Sequence, residues 1–149
     1  MNKVQTIKQT IQEVIDYLKI KAEITVAEDG EGFKAEISSD ESSLIIGVRG
    51  QNLYSLEHLI RVLASKRLGE HVYINLDISG YKERRNKRLE EIVTLTIEKV
   101  KKSKKPIELE SMSASERKLV HTLCQSIEGI ISESAGEGMS RRVVIKISE

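Results

Sequence analysis

Apolar residues return at steps of three and four over the first segment of the chain. Val4, Ile7, Ile11, Val14 and Leu18 form one stripe, which predicts an amphipathic helix over residues 3–19. The period then changes to two. Ile24 and Val26 alternate with Glu23 and Thr25, and Phe33, Ala35 and Ile37 alternate with Lys34 and Glu36. The Gly-rich run at 28–32 between them predicts a β-hairpin. Ser39-Asp40 offers a cap for a short helix holding Leu44, Ile45 and Ile46. Gly47-Val48-Arg49-Gly50 interrupts that helix. Leu53, Leu56, Leu59, Ile60 and Leu63 then predict a longer one with these residues inward, ending near Gly69. Val72, Ile74, Leu76 and Ile78 complete a third strand. The order is α-β-β-α-α-β, closed by residue 79.

Gly80 opens a second unit. Residues 81–103 predict a long helix with Leu89, Ile92, Val93, Thr96 and Val100 on its inner stripe. The single proline, Pro106, ends it and leads into the extended run Ile107-Glu108-Leu109. Ser113 and Glu116 have the spacing of a capping box for the next helix. A last hairpin has a Gly-rich turn, 134–138, between Ile130-Ile131 and the run 142–147. The pattern predicts an α+β protein of two small domains, 1–79 and 80–149, joined through the long helix. The second is an α/β domain with a small sheet packed on helices.

Composition narrows the chemistry. With 149 residues the chain holds one ordinary domain or two very small ones. Aromatics are 3% of residues and tryptophan is absent, which argues against a reader that stacks many bases on rings. One cysteine, Cys124, excludes an internal disulfide and a Cys-rich zinc site. His58, His71 and His121 have no metal-ligand spacing, so no metal or other cofactor is expected. No apolar run approaches the ~20 residues of a membrane span, and the N-terminal residues do not open a signal peptide. A cytoplasmic protein without membrane insertion is the expectation.

Charge changes the picture more. The net value is only +1. Residues 1–79 carry nine basic and twelve acidic side chains, whereas residues 80–149 carry fifteen and eleven. The stretch 80–105 alone has ten basic against four acidic, including Lys82, Arg84, Arg85, Lys87 and Arg88. A concentrated basic block attracts phosphate where a dispersed one does not, because screening limits reach to ~8–10 Å. The structural alternative is a solvated helix face.

A Gly-x-x-Gly turn between two helices lets backbone approach a sugar-phosphate chain with no Cβ in the way. The amides opening the following helix add donors and a positive dipole end, and Arg49 adds a charge. A tight helix–helix turn would need the same glycines. Placed within the α-β-β-α-α-β order, Gly47, Val48, Arg49 and Gly50 resemble the loop of a type II KH domain. That resemblance implies a clamp on about four backbone nucleotides. Val48 is apolar where that family often has a basic residue, which lowers the phosphate attraction expected at that step.

On a helix, Arg117 and His121 lie about 40° apart, with Leu119, Val120, Leu123 and Ile127 opposite, so the pair is expected to point away from the core. Arg-x-x-x-His on a helix is similar to the namesake motif of a small single-stranded nucleic-acid-binding domain. The flanking runs 106–113 and 137–145 are similar to it as well. A KH domain followed directly by this domain resembles the Jag family, the SpoIIIJ-associated proteins of bacteria. The joining run 78–85 shares that likeness, which covers residues 4–147. Arg141 and Arg142 follow the hairpin turn and are candidates to bring further cations toward Arg117 and His121. Adjacent strand residues point to opposite faces, so at most one does so squarely. Their structural alternative is edge-strand charge that blocks sheet pairing.

The expectation is a non-catalytic protein that binds single-stranded RNA, with single-stranded DNA as a competing ligand. Gly47, Val48, Arg49 and Gly50 form one surface and Arg117, His121 and Arg142 another, with Arg84, Arg85 and Arg141 as further nucleic-acid-binding candidates. The first alternative is an interaction module that pairs with a second copy or with another small KH protein. The second is a phosphate-processing enzyme with His121 as acid or base, for which the sequence supplies no accompanying acidic cluster.

Overall fold

The computed structural model describes residues 2–149. The Asn2 side chain accepts from the Val4 amide and starts α1 (Lys3–Tyr17), the usual service of asparagine at a helix N-cap. Ile7, Ile11 and Ile15 are fully buried on its inner stripe, each burial worth ~1.5–3 kcal/mol. The helix stops at Tyr17, so Leu18, expected on that stripe, is half-exposed and Ile20 joins the core instead.

β1 (Glu23–Asp29) and β2 (Gly32–Ser38) pair antiparallel around a two-residue turn at Gly30 and Glu31. Ser39, expected to cap the next helix, donates its hydroxyl to the Lys21 carbonyl and accepts from the Glu41 amide. α2 (Ser42–Ile46) therefore begins without a side-chain cap. α3 (Gln51–Leu68) buries Leu53, Leu56, Ile60 and Ala64, while Leu59, expected inward, is exposed. It ends at Gly69 with φ +70°, the left-handed C-terminal turn that glycine takes without strain. β3 (Ile74–Ile78) runs parallel to β2, with Phe33, Ala35 and Ile37 beside Ile74, Leu76 and Ile78 on the core face. The sheet order is β1-β2-β3.

The chain divides into two compact units after Lys82, within the first turn of α4 (Tyr81–Ser103). Tyr81 and Lys82 belong to the first unit for a physical reason. Tyr81 packs on that unit's core. Lys82 Nζ lies 2.7 Å from Glu57 Oε2 and 2.8 Å from Asn75 Oδ1, and 5.4 Å from the Tyr54 ring centroid. Glu57 is buried on α3 and also accepts from the Leu76 amide at 2.8 Å.

In the second unit, Val93, Ile97 and Val100 of α4 pack with Leu109, Val120, Cys124, Ile130, Val143 and Ile145. β4 (Ile107–Glu108) follows Pro106. α5 (Ala114–Gln125) carries the expected capping box, with Ser113 Oγ accepting from the Glu116 amide and Glu116 Oε2 accepting from the Ser113 amide. β5 (Ile130–Ala135) and β6 (Arg142–Ile147) pair antiparallel, and β4 joins the other side of β6. The order is β4-β6-β5, so β6 is the central strand and Arg142, its first residue, is not an edge charge. Helices and two small sheets make an α+β fold, as the periodicity predicts. No helix of the described residues is long and apolar enough to cross a membrane.

Candidate nucleic-acid interface

The loop between α2 and α3 turns on three left-handed residues: Gly47 at φ +72°, Arg49 at +54° and Gly50 at +77°. Both glycines are required by packing as well as by backbone. A Cβ on Gly47 would lie 2.6–3.0 Å from the Asn52 side chain, whose Nδ2 donates to the Leu44 carbonyl. A Cβ on Gly50 would lie 2.8 Å from the Tyr81 ring and 3.2 Å from that of Tyr54. Tyr81 is thus engaged in closing the loop. Val48 stands out at the tip, 70% exposed, and Arg49 is half-buried. No side chain caps the start of α3. Leu18, Ile20, Leu44, Ile45, Asn52 and Leu56 line an open, mostly apolar groove of about 350 Å³.

Arg84 and Arg85 separate. Arg85 is turned inward, its Nε 3.0 Å from Oε1 of Glu116, whose side chain is 1% exposed. It neutralises a buried carboxylate and does not stand on the surface as a phosphate contact. Lys82 is similarly held by Glu57. Of the cations in the first turns of α4, Arg84, Lys87 and Arg88 are exposed and line a shallow groove along the helix with Glu91, Ile92 and Leu95.

Arg117 and His121 occupy successive turns of α5, and neither points freely outward. Arg117 Nε donates to the Met112 carbonyl at 3.4 Å, and the Met112 amide donates to the Arg141 carbonyl at 3.2 Å. The backbone of Met112 therefore joins Arg117 to Arg141. Arg141 Nη1 in turn donates to the Gly136 carbonyl at 2.7 Å. Each guanidinium uses one of its five N–H donors in these bonds. His121 bridges two hydroxyls of β5, with Nδ1 2.6 Å from Ser132 Oγ and Nε2 2.9 Å from Ser134 Oγ. Ser132, Ser134 and Met112 are absent from the residues expected at the site. The signal available for the serines was their alternation with Glu133, the one charged residue of β5.

Sheet register sorts the remaining arginines. Cross-strand partners share a face, so Ser132 and Ser134 lie with Ile145 and Val143 on the side that α5 covers. Glu133 and Ala135 lie with Val144 and Arg142 on the other side. There Arg142 Nη1 lies 3.7 Å from Glu108 Oε2, and Lys146 Nζ lies 3.0 Å from Glu133 Oε1. Arg141 is extended (φ −67°, ψ 133°) and continues the alternation from Val143. The structure thus brings Arg117, His121 and Arg141 to one face and puts Arg142 on the opposite one.

The second nitrogen of the imidazole meets a serine and not the carboxylate that orients the histidine of a catalytic triad. Among the described residues no group of three or more His, Cys, Asp or Glu side chains is placed to hold a metal ion. Cys124 is buried, and burial pushes its thiol above the usual range, with a Ser132 hydrogen bond opposing in part.

Comparison with known proteins identifies the second unit first: residues 87–146 match the domain named for its Arg-x-x-x-His motif, the R-3-H domain. Over 144 residues the chain is 31% identical to the RNA-binding protein KhpB of Bacillus subtilis, covering 95% of this chain and 69% of that protein. Over 139 residues it is 30% identical to the RNA-binding protein KhpB of Clostridium symbiosum, covering 92% of this chain and 63% of that one. The Streptococcus pneumoniae relative of the same name is 25% identical over 135 residues, and the chain spans 41% of its length. The chain belongs to the KhpB family.

Proposed function

We propose that the protein binds single-stranded RNA without catalysing a reaction, through a surface of the Arg-x-x-x-His domain centred on Arg117 and Arg141 and a second surface at the Gly47–Gly50 loop. The observation that carries this reading is the joining of two arginines through Met112 on one face of the segment that matches that domain. Their remaining N–H donors suit phosphate oxygens, for which guanidinium geometry is well matched. The relatives' shared name, RNA-binding protein, supports RNA as the ligand.

The first unit is read as a type II KH domain. Its α-β-β-α-α-β order, its sheet with β2 parallel to β3, and the glycine loop between α2 and α3 support that reading. The Gly47 and Gly50 amides donate to neighbouring carbonyls, so what the loop offers phosphate is the uncapped start of α3. The adjoining apolar groove offers Leu18 and Leu44 to the faces of bases. Arg84, Lys87 and Arg88 along α4 add unspecific attraction.

The test is fluorescence anisotropy with a short single-stranded RNA, its DNA equivalent and the RNA duplex, at several salt concentrations. Wild type is compared with Arg49→Asp and with Arg117→Ala/Arg141→Ala. Salt-sensitive single-strand binding that weakens in both variants is expected. Loss in one variant alone would assign binding to that unit, and no binding to any strand at low salt would overturn the reading.

A further inference from the structure

His121 is held from both sides. Ser132 and Ser134 are two residues apart on β5, a rise of ~6.6 Å, and one imidazole bridges them with a bond from each ring nitrogen. An imidazole has only those two hydrogen-bonding positions. The serines satisfy either protonation state, because a hydroxyl both donates and accepts. Two bonds from one side chain therefore fasten the helix to the strand: His121 to Ser132 and His121 to Ser134.

Beyond Ser134 the strand runs through Ala135 to Gly136, whose carbonyl receives the Arg141 guanidinium. Arg117, whose guanidinium rests on Met112, stands one turn before His121 on the helix. Arg117 sits on α5, and Arg141 stands just before β6 and is fastened to the end of β5 through Gly136. Beside the Met112 backbone, the imidazole is a polar tie between α5 and β5. A phosphate approaching this face would meet the remaining guanidinium donors of Arg117 and Arg141, whereas both ring nitrogens are occupied.

We infer that His121 is a positioning residue and not a nucleic-acid contact: by pinning β5 to α5 through Ser132 and Ser134 it sets the separation of Arg117 and Arg141. This rests on the RNA-binding reading above.

The experiment uses the full chain as wild type, His121→Ala, His121→Gln, Ser132→Ala/Ser134→Ala, and the triple variant. Two readouts are taken at one pH. The first is NMR of the His121 ring, where a ring N–H slow to exchange with water is expected in wild type, with and without RNA, and lost in the serine double variant. The second is single-stranded RNA affinity against salt. His121→Ala and the serine double variant should each weaken binding about five- to tenfold, the scale of one or two hydrogen bonds. Both should keep the wild-type salt slope, and the triple variant should be no worse than either. Arg117→Ala, by contrast, should lower the slope by ~0.7 per phosphate released. His121→Gln, whose amide can still bond one serine, should recover part of the affinity.

A slope lowered by His121→Ala as by Arg117→Ala would overturn the inference. So would wild-type affinity in the serine double variant beside a weakened His121→Ala, or a fast-exchanging ring proton in wild type. Melting curves separate these outcomes from unfolding, and the serine variant serves if His121→Ala does not fold. Absence of RNA binding by wild type would overturn the functional reading and the positioning role together, while a protected ring proton would still establish the pin.

Discussion

Arg85 and Glu116 form a pair in which both side chains leave water, the arginine 12% and the glutamate 1% exposed, with Nε and Oε1 3.0 Å apart. Glu116 also closes the capping box of α5, so one carboxylate neutralises a cation from α4 and satisfies the amide of Ser113. A buried pair of this kind adds little over a well-packed apolar pair, because desolvation offsets the attraction. Breaking it is another matter, since the remaining charge stays buried and unpaired.

Arg85→Ala is therefore expected to destabilise the second unit by ~3–5 kcal/mol. Arg88→Ala, on the exposed face of the same helix, should stay within ~0.5 kcal/mol. Hydrogen exchange followed segment by segment would show faster opening of α5 in the first variant only. Equal, small effects would mean that water reaches Glu116 and solvates it.

Gly50→Ala should cost more than Gly69→Ala, although the two glycines have similar φ, +77° and +70°. Both changes force an L residue into the left-handed region, at ~1–2 kcal/mol. Around Gly69 there is open space, whereas at Gly50 the new methyl meets the Tyr81 ring at 2.8 Å. Overpacking adds ~1–3 kcal/mol there. Urea unfolding of the two variants checks the difference, and equal midpoints would show that Tyr81 moves aside without penalty.

Cys124 is expected to resist thiol reagents in the folded protein and to react fully once denatured. It is buried, and its thiol lies above the usual range, so less thiolate is present at about pH 8 than in a free cysteine. Labelling with a disulfide reagent with and without guanidinium checks this. Rapid native labelling would show that the β5–α5 packing opens readily.

The periodicities made the elements legible. Ile7 and Ile11 declared α1, the alternation Phe33, Ala35, Ile37 declared β2, and Ser113 with Glu116 declared the start of α5. What they could not declare is pairing across the chain. Lys82 meets Glu57 and Arg85 meets Glu116, partners 25 and 31 residues away, so two cations counted toward a binding surface are internal. The same holds for His121, whose helical position suggested exposure until β5 supplied Ser132 and Ser134. The face on which Arg142 lies depends on β4 and β5 both pairing with β6, which alternation within one strand does not specify.

Arg141 and Arg142 are adjacent and chemically identical, yet their variants should behave differently. Arg141 continues the face that carries Arg117, and its guanidinium bonds an uncharged acceptor, the Gly136 carbonyl. Arg142 faces the far side of the sheet, bonded to the Ser140 carbonyl and 3.7 Å from Glu108. If the α5 side holds RNA, Arg141→Ala should flatten the slope of log K against log salt by ~0.7 for each phosphate it no longer neutralises. Arg142→Ala should leave that slope unchanged and, because its pair with Glu108 is partly exposed, should shift stability by less than ~1 kcal/mol. Anisotropy titrations over a range of salt concentrations measure the slopes, and urea unfolding measures the stability. The reverse result, a flattened slope for Arg142→Ala alone, would move the ligand to the outer face of the β4-β6-β5 sheet, where Lys146 would become the next residue to change.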